Sequence, residues 1–102
     1  VTLQVVLNMI DFDLPPDRAV TAPRFLTGHY TGSFGQSRPR LGSLTLQDGA
    51  APAVIEELKR RGHDVNSQSA PLWWPVALSR DPKSGALHAA GDPQAHRHAA
   101  AY

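Results

Sequence analysis

The sequence predicts an α+β fold, and three observations carry that prediction. Apolar residues recur at helical spacing near the start of the chain and again after residue 52. Short apolar or alternating runs, bounded by Gly, Pro, Asn and Asp, occupy much of the remainder. Asp81-Pro82-Lys83-Ser84-Gly85, with proline early and glycine late, joins the last two runs as a hairpin. The expected elements are helices at 2–12, 16–22 and 52–61 and strands at about 24–28, 43–47, 63–67, 72–80 and 85–91. No internal repeat is present.

Composition bounds the function. At 102 residues the chain holds at most one domain with a modest core. Its 41% hydrophobic and 19% charged residues place it with globular rather than disordered proteins. A net charge of +1 supplies no broad field for nucleic acid or acidic membrane. Without cysteine there is no disulfide, thiolate zinc site or cysteine nucleophile. No apolar run is long enough for a transmembrane segment, and no leader-like stretch occurs. The chain starts on Val1 already in helical pattern, so residues 1–102 are expected to be one segment of a longer domain.

In the first helix Leu3, Val6, Leu7 and Ile10 lie at i, i+3, i+4 and i+7 and form one apolar face of a 3.6-period helix. Asn8 and Asp11, three apart, emerge beside that stripe. Pro15 and Pro16 stop this helix, and Pro16 suits the first position of the next. Pro23 ends the second helix and biases Ala22 toward extended backbone.

Residues 26–46 read mainly as loop, carrying Gly28, Gly32, Gly35, Pro39 and Gly42. Within them Leu44 and Leu46 alternate toward a turn at Asp48-Gly49. Arg38 and Arg40 read as solvated loop charges rather than a phosphate or nucleic-acid contact. In the third helix Pro52 occupies the first turn, Val54, Ile55 and Leu58 the apolar stripe, and Gly62 the capping position. Glu56–Arg60 and Glu57–Arg61 are expected i,i+4 pairs. Pro75 inside the run 72–80 implies an edge strand or a bulge.

Several stretches together resemble the C-terminal end of a gamma-glutamyltransferase (gamma-glutamyl transpeptidase), of the N-terminal-nucleophile hydrolase superfamily. They are Leu7-Asn8-x-Ile10-Asp11-Phe12, Ala19-Val20-x-Ala22-Pro23-Arg24-Phe25 and Leu58-x-x-x-Gly62-His63-x-Val65. Asp81-Pro82-x-x-Gly85-x-Leu87, Ala90-Gly91-Asp92-Pro93 and a terminal Ala-x-Tyr102 follow in the same order. The resemblance implies the C-terminal part of an αββα sandwich in a small-subunit catalytic domain. It also implies self-cleavage of a precursor to expose an N-terminal threonine, which attacks the γ-amide of a glutathione-like substrate with its own α-amino group as base. A glycine-rich segment forms the oxyanion hole. By that resemblance the nucleophile and the oxyanion glycines lie upstream of the region matched. No catalytic or substrate-binding residue is therefore expected here, and no cofactor. The implied partners are the remainder of the parent polypeptide, namely the upstream small subunit and the large subunit, and a small γ-glutamyl substrate. A soluble periplasmic or secreted enzyme fits, with the compartment left open.

Within this reading Asn8, Asp11, Pro23, Arg24, Gly62, His63, Asp92 and Pro93 are structural motif residues, and Asn8, Asp11 and Arg24 are expected to hold a helix–turn–strand corner by hydrogen bonds. Thr27-Gly28-His29 is a faint nucleophile look-alike, rejected because it follows the two helices. Three departures from the family pattern stand out. Asp13 takes a position where glycine is frequent, Trp73-Trp74-Pro75 replaces a glycine-containing approach to a strand, and Gln94-Ala95-His96-Arg97-His98 replaces an arginine-led, aspartate-containing tail.

Two other readings compete. His96 and His98 would share one side of an extended strand, with His88 nearby, as candidate ligands for zinc or copper. Adjacent Trp73 and Trp74 on a strand would face opposite ways, one into the core and one to an interface. The alternatives to an enzyme scaffold are thus a non-catalytic binding or accessory module of the same fold, and a small histidine-dependent metal-binding protein.

Overall fold

The structure, a computed structural model, describes residues 1–35 and 37–102; Gln36, inside the predicted loop, lies outside the described residues. Among the described residues eight regular elements follow one another: α1 (Thr2–Ile10), α2 (Pro16–Thr21), β1 (Phe25–Leu26), β2 (Ser43–Gln47), α3 (Pro52–Arg60), β3 (Asp64–Gln68), β4 (Val76–Arg80) and β5 (Leu87–Gly91). A single 3₁₀ turn occurs at Pro93–Ala95, and the chain passes through left-handed backbone at Phe34 (φ 64°) and Gly35 (φ 67°). The mixture is α+β, as predicted, and the chain divides into two compact units, Val1–Ala22 with Trp73–Tyr102, and Pro23–Leu72.

In the first unit α1 and α2 pack with the antiparallel hairpin β4–β5. The core is Val5, Ala19, Val20 and Ala77, with Val1, Met9, Leu14 and Ala90 packed against it. Burying Val20 completely stabilises the unit by about 2 kcal/mol. The apolar face read from the periodicity of α1 is not the side that is packed. Val1, Val5 and Met9, at i, i+4 and i+8, face inward. Leu3 is 67% and Ile10 73% exposed, and Val6 and Leu7 are exposed with them. The helix is apolar on nearly every side, so periodicity alone does not select the face that α2 covers.

Helix α1 also ends at Ile10 rather than residue 12, with Asp11 as its C-cap. The chain then turns back, Leu14 N–H donating to Asn8 O at 2.9 Å, through Asp13 at φ 52°. That left-handed backbone is what glycine, and next best Asn or Asp, accepts. Asp13→Gly is expected to change stability by less than ~0.5 kcal/mol, whereas Asp13→Val loses about 1–2 kcal/mol. Thermal midpoints of the two variants check the pair.

The hairpin is shorter than predicted at both arms. Residues 72–75 are not strand: Trp73 sits at φ 64°, and β4 begins only after Pro75, whose imide lacks an N–H. Arm two starts at Leu87 instead of residue 85, Gly85 (φ 74°) still belonging to the turn. Register is Val76↔Gly91 through Arg80↔Leu87. Ala77 and Ala90 point to the helices, while Val76, Leu78 and Leu87 on the other face remain exposed.

In the second unit β2 is central, with β1 antiparallel on one side and β3 parallel on the other. The β2–α3–β3 crossover makes a parallel pair, Ser43↔Asp64 through Gln47↔Gln68. β1 is two residues instead of five, and β3 is shifted one residue from the predicted 63–67. α3 starts on Pro52 as its first turn demands. It closes with Gly62 N–H to Lys59 O at 2.9 Å and His63 N–H to Leu58 O at 3.1 Å, the paired bonds of a Schellman cap. Gly62 at φ 94° makes that reversal possible. Of the expected ion pairs Glu57–Arg61 forms at 2.8 Å, but Glu56 pairs with Lys59 at 3.2 Å, and Arg60 turns to Glu57 at 2.6 Å. Arg60 and Arg61 thus share one carboxylate and hold Glu57 below the usual glutamate range, Arg60 contributing most.

Candidate functional site

The predicted motif residues fall on separate elements of the two units. Asn8 lies on α1, half-buried, and donates through Nδ2 to Ala19 O on α2 at 3.2 Å. This bond ties the two helices across the Pro15-Pro16 break. Asp11 is exposed at the C-cap, its backbone N–H donating to Leu7 O at 2.8 Å.

Pro23 and Arg24 open the second unit. Pro23 bears on the turn after β2, where a Cβ on Gly49 would come within 3.2 Å of its ring. Arg24 is 2% exposed, and its Nε donates to Leu72 O at 2.8 Å, joining the start of the unit to its end. Its carbonyl accepts the N–H of Gln47, the last residue of β2, at 2.8 Å, so the backbone of Arg24 holds β2 while its side chain holds the segment after β3. Gly62 and His63 serve the α3 cap through their backbone, and the His63 side chain is exposed.

Asp92 and Pro93 build the bend after β5. Asp92 is 2% exposed, and its carboxylate accepts Gln94 N–H at 3.0 Å while its carbonyl accepts Ala95 and Arg97 N–H at 3.1 and 3.0 Å. The tail then runs so close that a Cβ on Gly91 would stand 2.6 Å from the Arg97 carbonyl carbon and oxygen. Within the Ala90-Gly91-Asp92-Pro93 motif, Gly91 is the residue whose missing side chain allows that approach. Arg97 reaches over the Trp74 ring at 5.8 Å from its centroid.

Trp73 and Trp74 are corrected from the alternating-strand expectation. Their rings meet edge to face at 5.9 Å, and they are 56% and 57% exposed. Neither enters the core, because the left-handed Trp73 turns the chain before β4 begins. The departure from a glycine-containing pattern was the available signal for that turn, as it was at Asp13.

His96 and His98 do not lie on an extended strand, since β5 ends at Gly91. His96 is in the left-handed region (φ 54°) after the Pro93–Ala95 turn, so strand alternation does not bring it beside His98. Among the described residues no group of three His, Asp or Glu side chains is placed to hold a metal ion. His88, on β5, instead lines an open cleft of about 380 Å³ with Pro15, Pro16, Asp17, Leu87, Ala89 and Ala101.

Thr27-Gly28-His29 has no nucleophile–base geometry. Thr27 Oγ1 accepts the His29 N–H at 3.1 Å, and His29 Nε2 accepts Gly42 N–H at 3.1 Å. The imidazole lone pair is therefore engaged by backbone rather than aimed at a hydroxyl.

The hairpin turn carries a resolved charge effect. Asp81 accepts the Ser84 hydroxyl at 2.7 Å and Lys83 N–H at 2.9 Å. The Ser84 hydroxyl first, then Lys83 N–H, holds its carboxyl below the ordinary aspartate value. The folded pKa lies below the unfolded one, so this contribution is complete above the ordinary value of about 4 and is lost as pH falls through the lowered folded pKa. Ser84→Ala is expected to move the Asp81 carboxyl back upward in an NMR titration. An unchanged midpoint would assign the shift to the backbone bonds alone.

Comparison with known proteins adds to this geometry. The family model described as Gamma-glutamyltranspeptidase matches residues 1–102. A structure of LmbA is 30% identical over 92% of this chain and 17% of its own, with a TM-score of 0.76. The gamma-glutamyltranspeptidase from Pseudomonas nitroreducens complexed with L-DON is 24% identical over 99% of this chain and 47% of its own, TM-score 0.69. Cephalosporin acylase from Bacillus halodurans is 24% identical over 91% of this chain and 16% of its own, TM-score 0.72. This chain therefore spans less than half of each of these solved chains. No curated protein sequence matches it. No helix among the described residues is long and apolar enough to cross a membrane.

Proposed function

This chain belongs to the gamma-glutamyltranspeptidase family, and we propose that it is the C-terminal scaffold of an enzyme that hydrolyses or transfers γ-glutamyl groups of glutathione-like substrates. The nucleophilic threonine and the oxyanion donors are supplied by polypeptide outside residues 1–102. One observation supports the scaffold role above others: the β4–β5 hairpin is covered by helices on one face only. Its second face presents Val76, Leu78 and Leu87 at 49%, 64% and 45% exposure. An apolar sheet face of this kind is what a second sheet covers in an αββα sandwich. Buried Arg24 and Asp92 each bond to backbone groups, a use that fits support.

The expected result is release of aniline from a γ-glutamyl anilide by the full polypeptide and none by residues 1–102 alone. Turnover by the isolated 102 residues would overturn the assignment of chemistry to outside residues. Hydrolysis of a cephalosporin side chain in preference to the γ-glutamyl anilide would keep the scaffold role and replace the substrate class.

A further inference from the structure

The αββα arrangement accounts for the open face of the hairpin, but not for α1. A helix in the outer layer of such a sandwich buries one side and gives the other to solvent. In α1 the buried side is Val1, Val5 and Met9. The opposite side carries Leu3, Val6, Leu7 and Ile10, at 67%, 41%, 39% and 73% exposure, and Phe12 continues it at 70%. Thr2–Ile10 contains no charged residue, and Asn8, one of its few polar groups, is spent on Ala19 O. The other surface helix of similar length, α3, carries Glu56, Glu57, Lys59 and Arg60 on its outer side. The contrast marks the outer face of α1 as one that water does not normally see.

We propose that this face seats an apolar segment of the same precursor polypeptide, lying outside residues 1–102 and outside the two sheets of the sandwich. The proposal rests on the scaffold reading above. The occupant is argued from length: solved gamma-glutamyltranspeptidase chains extend well past the matched region, this chain spanning 45% and 47% of two of them. It is also argued from the absence of charge on α1, which gives a charged or phosphorylated partner nothing to pair with.

Leu3→Cys, Ile10→Cys and, as an exposed reference, Lys59→Cys are introduced singly into the full polypeptide. Each is treated with a maleimide, and the modified peptide is located by mass spectrometry. Labelling at positions 3 and 10 is expected to be at least ~10-fold slower than at 59 and independent of protein concentration. Equal rates would overturn the proposal. Protection that disappears on dilution would overturn it too, assigning the face to a second copy of the protein. If a cysteine variant fails to fold, hydroxyl-radical oxidation of Leu3 and Phe12 against Tyr30 in the unaltered protein reads the same burial. Turnover of the γ-glutamyl anilide, measured in parallel, separates the two readings. Activity with a freely labelled α1 defeats only the seat, and protection without activity defeats only the enzymatic assignment.

Discussion

Gly91→Ala is expected to destabilise the unit formed by residues 1–22 and 73–102 by about 3 kcal/mol, at the upper end of what overpacking costs. The new methyl would lie 2.6 Å from Arg97 C and O and 2.9 Å from His98 N, all backbone atoms that no rotamer change can remove. Nor is the tail free to retreat. Arg97 N–H is held by Asp92 O at 3.0 Å, the preceding residue is already left-handed, and the Arg97 guanidinium lies over Trp74. On the other side Gly91 is paired with Val76 in the hairpin, so moving it opens the ladder. Gly85→Ala is the matched comparison: φ is 74° and nothing but Arg80 Nη2 stands within 4 Å, at 3.9 Å. It should cost only the left-handed penalty of about 1 kcal/mol. Urea midpoints for the two variants give the difference. Equal losses would mean that the tail shifts without consequence and that Gly91 is ordinary.

Arg24→Met is expected to cost about 2–4 kcal/mol, because it keeps most of the stem but leaves a buried acceptor without its donor. Leu72 is 3% exposed, and the Arg24 Nε bond to its carbonyl spans 48 residues of sequence. Arg24→Lys should recover little, since an ammonium at the chain end cannot present N–H at the place of Nε. The check is the denaturant midpoint at unchanged slope, with faster hydrogen exchange at the β2 amides, where Gln47 N–H bonds to Arg24 O. A midpoint within ~0.5 kcal/mol of the parent would remove Arg24 from the structural set.

Features read correctly from the sequence share a cause. Pro16 and Pro52 at helix starts, Gly62 at a helix end and the Asp81–Gly85 turn all depend on backbone geometry within four or five residues. The strand at 43–47 was legible for the same reason, being bounded by Gly42 and by the Asp48-Gly49 turn. The ordered motifs carried the family as well, and the family match across residues 1–102 agrees with them.

Other features depend on neighbours far away in the chain. Leu3 and Val5 are equally apolar, and only the arrival of α2 and β4 buries one and not the other. Trp73 and Trp74 sit in an apolar run that reads as strand, until a left-handed residue ends the alternation. The parallel pairing of β2 with β3, the Arg24–Leu72 bond and the approach of Arg97 to Gly91 join residues that no local pattern connects. Chain chemistry therefore set where the elements start and stop, because proline rings, missing N–H groups and glycine backbones act at short range. Folding chose which side of α1 is covered, which strands pair and where glycine alone will fit, because packing and backbone clashes exist only once distant segments meet.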